Sequence, residues 1–190
     1  IIQGGMGVAV SLSGLASAVA NEGGIGVIAC AGIGRDEEDF FKSYLAANAR
    51  ALRKEIRRAK ELSPGILGVN VMMALSNCGE LFATAIEEGI DVIFSGAGLP
   101  LDLPHYLKGG GRTKLVPIVS SGRAAKIIAK RWTERYEYLP DAFVVEGPQA
   151  GGHLGFKPEQ IGDPAYALEL LLADVLEAVK PFEAKAGRTI

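Results

Sequence analysis

Short apolar runs alternate with helix-like segments along almost the whole chain, and this alternation is the strongest constraint on the fold. Six segments mark predicted strands. Residues 1–7 are interpreted as a strand end plus a loop, and apolar runs typical of buried strands lie at residues 25–29, 66–72, 91–95, 114–119 and 142–145. Segments with helical composition follow them, at residues 13–21, 36–62, 80–88, 103–107, 122–135 and 164–179. Strands that alternate with helices form parallel sheets with right-handed crossovers. The sequence therefore predicts an α/β fold built from six βα units.

Two architectures contain such units, a closed (β/α)8 barrel and an open doubly wound sheet. A closed barrel usually takes about 250 residues, and this sequence has 190. We therefore expect residues 1–190 to form one incomplete TIM-type barrel domain with only the first six units. The open sheet is the alternative. Its dinucleotide-binding form is disfavoured, because no Gly-x-Gly-x-x-Gly phrase follows a strand with an acidic residue at the right distance.

The segment at about residues 36–62 is predicted to be a long helix inserted in the barrel. Acidic residues near its start and basic residues near its end match the helix dipole, and Asp36 is the predicted cap. An apolar stripe is expected on one face, formed by Phe41, Leu45, Leu52, Ile56 and Ala59. The Arg and Lys residues between positions 50 and 60 are interpreted as a solvated face of this helix.

Charge and composition exclude several classes of protein. The formal charge of −2 argues against a nucleic-acid-binding surface, and no apolar stretch is long enough to span a bilayer. Cys30 and Cys78 match no metal spacing or disulfide framework, so we expect reduced thiols in a cytoplasmic protein and no metal site. Because the sequence starts inside a predicted strand, a short preceding piece is expected to be missing.

The segment Glu146 to Gly155 is the main candidate for a ligand-binding loop. It follows the last predicted strand and contains four glycines, a proline and His153, one of two histidines in the chain. Glycines let a backbone approach a flat or charged ligand, because no Cβ intervenes. A plain turn with a structural histidine remains the alternative when these residues are considered alone.

The phrase Glu146-Gly-Pro-Gln-Ala-Gly-Gly-His-Leu-Gly155 resembles the active-site signature of the nitronate monooxygenase family. Flavin-dependent enoyl-acyl-carrier-protein reductases share that signature. Three further phrases fit the family in the same order along the chain: Ile1-Ile-Gln-Gly-Gly-Met-Gly7, Gly68-Val-Asn-Val-Met72 and Gly96-Ala-Gly-Leu-Pro100. Four motifs in order make the resemblance specific for the family, although not for a substrate.

The resemblance implies FMN as cofactor and an oxidoreductase. The implied reaction is oxidation of alkyl nitronates or nitroalkanes by dioxygen to a carbonyl compound and nitrite, with His153 as general base. The implied flavin-binding residues are Gly5, Met6, Gly7, Asn70, Glu146, Gly151 and Gly152. In parallel barrels, ligands meet the loops after the carboxyl ends of the strands. We therefore expect His153 and the amides of residues 5–7 to face one hollow.

Two departures from the family pattern are visible. Some members place a lysine near the flavin at the end of the fifth strand, whereas this sequence has Ser120 and Ser121; Ser121 is predicted to cap the following helix. The FMN phosphate in such barrels is usually held after strands seven and eight, which are expected to be absent here.

Two other functions stay open. One is an NAD(P)H-dependent enoyl-thioester reductase on the same barrel, and the other is a non-catalytic flavin-binding barrel fragment. The expected partners are small molecules and dioxygen, with a homo-oligomer as one alternative. His105 is expected at the surface or in packing, and Trp132 and Tyr136 are assigned to packing.

Overall fold

The computed structural model describes residues 1–107, 111–152 and 154–190. The helices are α1 (Ser13–Asn21), α2 (Tyr44–Leu62), α3 (Cys78–Glu87), α4 (Gly122–Tyr136) and α5 (Leu168–Ala186). The strands are β1 (Gly26–Ala29), β2 (Leu67–Met72), β3 (Val92–Gly96), β4 (Lys114–Val119) and β5 (Val144–Val145). Short 3-10 helices lie at Leu103–Tyr106, Pro158–Gln160 and Pro164–Tyr166.

The strands form one sheet in the order β1-β2-β3-β4-β5. β1 and β2 are parallel, with Ala29 opposite Asn70, and β4 and β5 are parallel, with Ile118 opposite Val144. Consecutive strands that lie side by side, with helices between them in sequence, are the arrangement of a (β/α)8 barrel. The predicted α/β fold of the TIM-barrel type is confirmed.

The sheet contains five strands where the sequence predicted six. The first predicted strand is present as one isolated parallel bridge, between Ile2 and Ile25. The side chain of Gln3 takes the place of further ladder bonds, because its amide bonds both to the carbonyl oxygen and to the N–H of Val27.

The contacts between residues divide the chain into two compact units. One comprises Ile1–Phe94 and Tyr106–Lys114, and the other comprises Ser95–His105 and Leu115–Ile190.

In the first unit, α1 lies directly against the start of β1. An ideal Cβ at Gly26 would lie 1.8 Å from the carbonyl oxygen of Ala16, so only glycine allows this approach. α2 contacts both α1 and α3, and it buries Leu52 and Ile56 completely. These helices form a layer that covers one face of β1 and β2.

In the second unit, α5 contacts α4 and buries Leu171, Val175 and Val179. A carboxylate oxygen of Asp174 in α5 accepts the N–H of Gly122, the first residue of α4, at 2.6 Å. The N-terminus of α4 is therefore held by a negative charge, which the helix dipole favours.

The prediction that the long helix starts near Asp36 is wrong. Residues 36–43 form turns, and α2 begins at Tyr44 with Ser43 as its N-cap residue. The acidic side chains that were expected to lie in its first turn instead bind a residue further along, since Glu37 and Asp39 both pair with Arg50.

The predicted apolar stripe is confirmed only within the second half of α2. Leu52, Ile56 and Ala59 are buried. Leu45 is 49% exposed and Phe41 is 97% exposed. Phe41 precedes the helix, so helical spacing does not apply to it, and its ring contacts Phe40 instead.

The last two predicted elements differ in their bounds. The strand predicted from Ala142 is regular only at Val144–Val145. Before it, the Asp141 carboxylate accepts the N–H of Leu115, a donor that a backbone carbonyl oxygen would accept if the regular strand pairing continued. The last helix continues past Pro181 to Ala186 and ends before Gly187, which has a φ of +66°.

Both cysteines are free thiols, with Cys30 buried and Cys78 partly buried. Burial raises the pKa of the Cys30 thiol far above its usual range, which makes it unreactive. None of the helices in the described ranges is long and apolar enough to cross a membrane.

Candidate functional site

The predicted loop at residues 5–7 lies against the carboxyl ends of β1 and β2. An ideal Cβ at Gly5 would lie 2.9 Å from the Cβ of Asn70, and one at Gly7 would lie 2.9 Å from the Ala31 carbonyl oxygen. Both positions therefore require glycine. Gly5 is exposed, and its N–H has no hydrogen-bond partner among the described residues. The loop thus presents bare backbone at the edge of the sheet where barrel ligands bind.

Asn70 lies within this group, near the end of β2. Its carbonyl oxygen accepts the N–H of Cys30 at 3.0 Å, which fixes its backbone. Its side chain is half-buried next to Gly5. An amide at this position offers both a donor and an acceptor to a ligand.

Met6 is held by its backbone and not by its side chain. The Met6 N–H donates to Oγ of Ser11 at 3.0 Å, and the Met6 carbonyl oxygen accepts the Ser11 N–H at 2.9 Å. The Met6 side chain is 65% exposed. The structure therefore brings Gly5, Gly7 and Asn70 together and leaves the thioether of Met6 in solvent.

The turn after Gly7 is strained. Val8 and Ala9 have φ values of +56° and +60°, in the left-handed region that side chains with a Cβ rarely adopt. Such conformations persist only where the surroundings enforce them. Here the Val8 N–H donates to the Ala31 carbonyl oxygen at 2.7 Å, which pins the turn to the segment after β1.

In the second unit, Glu146 directly follows β5. Its N–H donates to the Val119 carbonyl oxygen at 2.8 Å, and its Oε2 accepts the N–H of Gly155 at 3.1 Å. An ideal Cβ at Gly155 would lie 3.1 Å from Oγ of Ser120 and 3.2 Å from Oε2 of Glu146. The two polar side chains after β4 and β5 therefore meet at Gly155.

Gly151 and Gly152 form the open part of the same loop. Both are exposed, and apart from chain neighbours no atom of the described residues lies within 4 Å of an ideal Cβ at either position. Gly152 has a φ of +82°, which glycine adopts without strain. His153 lies outside the described residues, so its predicted placement in one hollow with residues 5–7 stays a prediction.

Two cavities lie beside this loop. The smaller measures about 170 Å³ and the larger about 760 Å³. Ile118 and Glu146 line both cavities. The smaller one is also bordered by Ala97 and Gly98 after β3, whereas the larger one extends to Leu168 at the start of α5. Glu146 therefore separates two spaces at the carboxyl end of β5.

Other predicted residues have structural roles. Ser121 caps α4, because its Oγ accepts the N–H of Ala124 at 3.3 Å, as predicted. Trp132 is fully buried and donates to the Pro100 carbonyl oxygen at 2.8 Å. The Tyr136 hydroxyl donates to Asp102, and His105 is exposed on a 3-10 helix.

Gln3 and Ser11 were not predicted from the sequence to be site residues. Both support the candidate loop, through bonds to Val27 and Met6. The one available signal for Gln3 was its position inside the Ile1–Gly7 phrase.

Comparison with known proteins identifies the family. The family model described as nitronate monooxygenase matches residues 1–184. The chain belongs to the nitronate monooxygenase family. This finding confirms the family that the four sequence motifs indicated.

Other proteins of known sequence or structure resemble the chain over most of its length. It is 30% identical over 179 residues to (3aS,4S,5R,7aS)-5-hydroxy-7a-methyl-1-oxo-octahydro-1H-indene-4-carboxyl-CoA dehydrogenase of Mycobacterium tuberculosis. It is 28% identical to the protein of the same name from Rhodococcus jostii. It covers 41% and 42% of these two proteins, and so spans less than half the length of the curated relatives that it matches.

Solved structures show the same fold. FabK from Thermotoga maritima matches with a TM-score of 0.70 and 27% identity, over 94% of this chain and 47% of FabK. Nitroalkane oxidase from Streptomyces ansochromogenes matches with a TM-score of 0.71 and 23% identity, over 94% of this chain and 55% of the oxidase.

Proposed function

We propose that this chain is the flavin-binding part of an FMN-dependent oxidoreductase that oxidises alkyl nitronates or nitroalkanes with dioxygen. The observation that carries the proposal is the family match, taken together with the position of the glycine motifs directly after strand ends. The proposal includes the expectation that residues 1–190 act as one FMN-binding domain.

The described residues fit a flat, polar cofactor. At Gly5 and Gly7 a Cβ has no room, so these two positions can offer only backbone to a ring, and the N–H of the exposed Gly5 has no hydrogen-bond partner among the described residues and is available as a donor. Asn70 adds an amide beside it, suited to the polar edge of a flavin. We assign these residues, with Met6 and the backbone of Gly151 and Gly152, to FMN binding, and Glu146 to the same site.

His153 is the proposed general base. The α-proton of a nitroalkane is acidic because the resulting negative charge spreads onto the nitro oxygens. A neutral imidazole can remove it, so the histidine must be unprotonated at the working pH. The open glycines before it leave room for a substrate to approach. When bound, FMN would supply the redox chemistry that passes electrons from the nitronate to dioxygen.

A second candidate is an NAD(P)H-dependent enoyl-thioester reductase. Both curated relatives are named as dehydrogenases of a carboxyl-CoA compound, which favours a thioester substrate. The proposed flavin-binding residues would be the same, since both reactions require a flat redox cofactor. The two functions differ in the second substrate.

Substrate consumption separates the two candidates. The FMN-loaded chain is incubated either with ethyl nitronate and no nicotinamide, or with NADH and a crotonyl thioester under anaerobic conditions. We expect oxygen uptake and nitrite release in the first reaction, and no NADH loss in the second. NADH oxidation that depends on the thioester, without any reaction of the nitronate, would replace the first candidate by the second.

A further inference from the structure

The loop after β5 is closed at its base by a single side chain. We propose that Glu146 is a positioning residue whose carboxylate clasps this loop, through the hydrogen bond from the Gly155 N–H to its Oε2 at 3.1 Å. The clasp sets the course of the described loop residues, 147–152 and 154. Its consequence for catalysis rests on the proposed function, whereas the clasp itself does not.

The Glu146 side of the clasp is rigid. Its N–H bonds to the Val119 carbonyl oxygen at 2.8 Å, which extends the parallel ladder between β4 and β5 by one residue. The carboxylate therefore projects from the end of a paired strand, and its backbone is anchored to β4.

The Gly155 side of the clasp is fitted to glycine. A Cβ there would lie 3.1 Å from Oγ of Ser120 and 3.2 Å from the Glu146 carboxylate, closer than most such contacts in proteins. The backbone of Gly155 thus lies tight against both side chains. The chain returns after nine residues to the strand end that it left.

Beyond Pro148, which is buried, the described residues of the loop make few contacts. The Ala150 N–H bonds to the Gly147 carbonyl oxygen at 3.1 Å, which forms a local turn. Gly151 and Gly152 have open space around them. Glycines lose more backbone freedom on ordering than other residues, so a loop of this composition needs an external restraint to keep one course. The clasp is that restraint.

A carboxylate suits the task because it only accepts hydrogen bonds and its charge strengthens the bond to an amide. Glutamine carries one carbonyl oxygen at the same distance from the backbone. Glu146→Gln therefore keeps an acceptor and removes the charge, while Glu146→Ala removes both. Comparing these two variants separates the clasp from a purely electrostatic role of Glu146 towards a ligand.

Hydrogen exchange of the whole 190-residue chain tests the clasp. Exchange of peptides covering residues 147–156 is measured in the wild-type protein, Glu146→Gln, Glu146→Ala and Glu169→Ala. Glu169 lines the larger cavity, so its substitution removes a carboxylate from the same space without touching Gly155. Peptides of α4 serve as the internal reference.

Loss of one such hydrogen bond is expected to speed loop exchange in Glu146→Ala by about three- to ten-fold relative to α4. Glu146→Gln is expected within about two-fold of wild type, and Glu169→Ala at the wild-type rate. The proposal is overturned if the ratio of the loop exchange rate to the α4 exchange rate in Glu146→Ala equals the wild-type ratio, even if all peptides of that variant exchange faster. It is also overturned if Glu146→Gln exchanges as fast as Glu146→Ala.

Activity then links the clasp to the reaction. Under the proposed function, Glu146→Ala lowers kcat with a neutral nitroalkane more than with a preformed nitronate, and Glu146→Gln restores most of the loss. The exchange rates can follow the expected pattern while neither the wild-type protein nor any variant oxidises either substrate. That result would support the clasp and contradict the proposed function.

Discussion

Adjacent glycines at the start of the chain differ in how much space surrounds them. An ideal Cβ at Gly4 would meet no atom within 4 Å, whereas one at Gly5 would lie 2.9 Å from Asn70 and 3.4 Å from Ala29. Gly4 is thus replaceable on steric grounds, and Gly5 is not. This contrast supplies a matched pair of substitutions one residue apart.

We predict that Gly5→Ala destabilises the protein by about 1–3 kcal/mol, the usual range for a methyl forced into a packed site. It should also weaken FMN binding, because Asn70 must shift. Gly4→Ala should leave both properties unchanged or raise stability by about 0.4–1 kcal/mol through the unfolded state. Denaturant unfolding and a flavin titration measure the two effects. Equal losses in both variants would show that the contact with Asn70 does not matter.

The two histidines of the chain supply a second pair. His153→Asn removes the proposed base, so turnover of neutral nitroethane should fall by about 10²–10⁴-fold, as is typical when a general base is lost. A preformed nitronate needs no proton abstraction, and its oxidation should be largely retained. His105→Asn, on the exposed 3-10 helix, should behave as wild type. Steady-state rates of the three proteins with both substrates test this prediction. Equal rates of His153→Asn and wild type on nitroethane would show that the histidine is not the general base.

At the scale of elements, charged side chains join α2 to the end of α3. Arg53 donates to the Glu88 carboxylate at 2.8 Å and Arg57 at 2.7 Å, while Nζ of Lys60 reaches the carbonyl oxygens of Glu88 and Gly89. The interpretation of this basic face of α2 as solvated is therefore correct only in part, because Arg53 and Arg57 remain 37% and 62% exposed but pair with the end of α3. Glu88 is the centre of this network, since its side chain is only 12% exposed.

Hydrogen bonds from Arg57, opposed by some desolvation and aided by Arg53, lower the pKa of Glu88. A lowered carboxyl pKa stabilises the fold above the unfolded value, and this stabilisation is lost as the pH falls through the folded value. We predict that Glu88→Gln costs about 0.5–1 kcal/mol at pH 7, the range of partly exposed ion pairs. The cost should start to shrink as the pH falls to about 4.5, the ordinary value for glutamate, and should vanish only once the pH lies below the lowered pKa of Glu88 in the folded protein.

Urea unfolding of both proteins across this pH range provides the measurement. Glu87→Gln is the control, because Glu87 is 64% exposed and has a bond from Arg53 alone. A Glu88→Gln deficit that stayed constant down to acidic pH would contradict the assignment to ion pairing.

The elements themselves could be predicted because their signals are local. Strands covered on both faces are continuous apolar runs, and α3 ends at Gly89, with a φ of +65°, as its glycine predicted. The starts of α2 and β5 could not be predicted, because Arg50 and Asp141 make tertiary contacts that hold the preceding residues outside the helix and the strand. Helix and strand periodicity contains no information about such bonds.

At the scale of the whole molecule, the motifs identify the family. The phrases that start at Gly96 and Glu146 begin at or directly after the ends of β3 and β5, whereas Gly68–Met72 lies within β2. Glycine motifs could be recognised in the sequence because close backbone approach restricts the residue type. The bonds from Gln3 to Val27 and from Glu146 to Gly155 span 24 and nine residues. These hydrogen bonds could not be predicted, because a bond between a side chain and a distant backbone group leaves no repeating pattern in the sequence.

Flavin binding by the chain itself tests the central claim most directly. The purified 190-residue protein is incubated with FMN, passed through a desalting column and examined by visible absorption spectroscopy, with Gly5→Ala treated in parallel. We predict that the wild-type protein retains flavin with a perturbed spectrum and that Gly5→Ala retains less. A wild-type protein that emerges colourless, with all FMN in the small-molecule fraction, would contradict the assignment of residues 5–7, Asn70 and the loop after β5 to a flavin site.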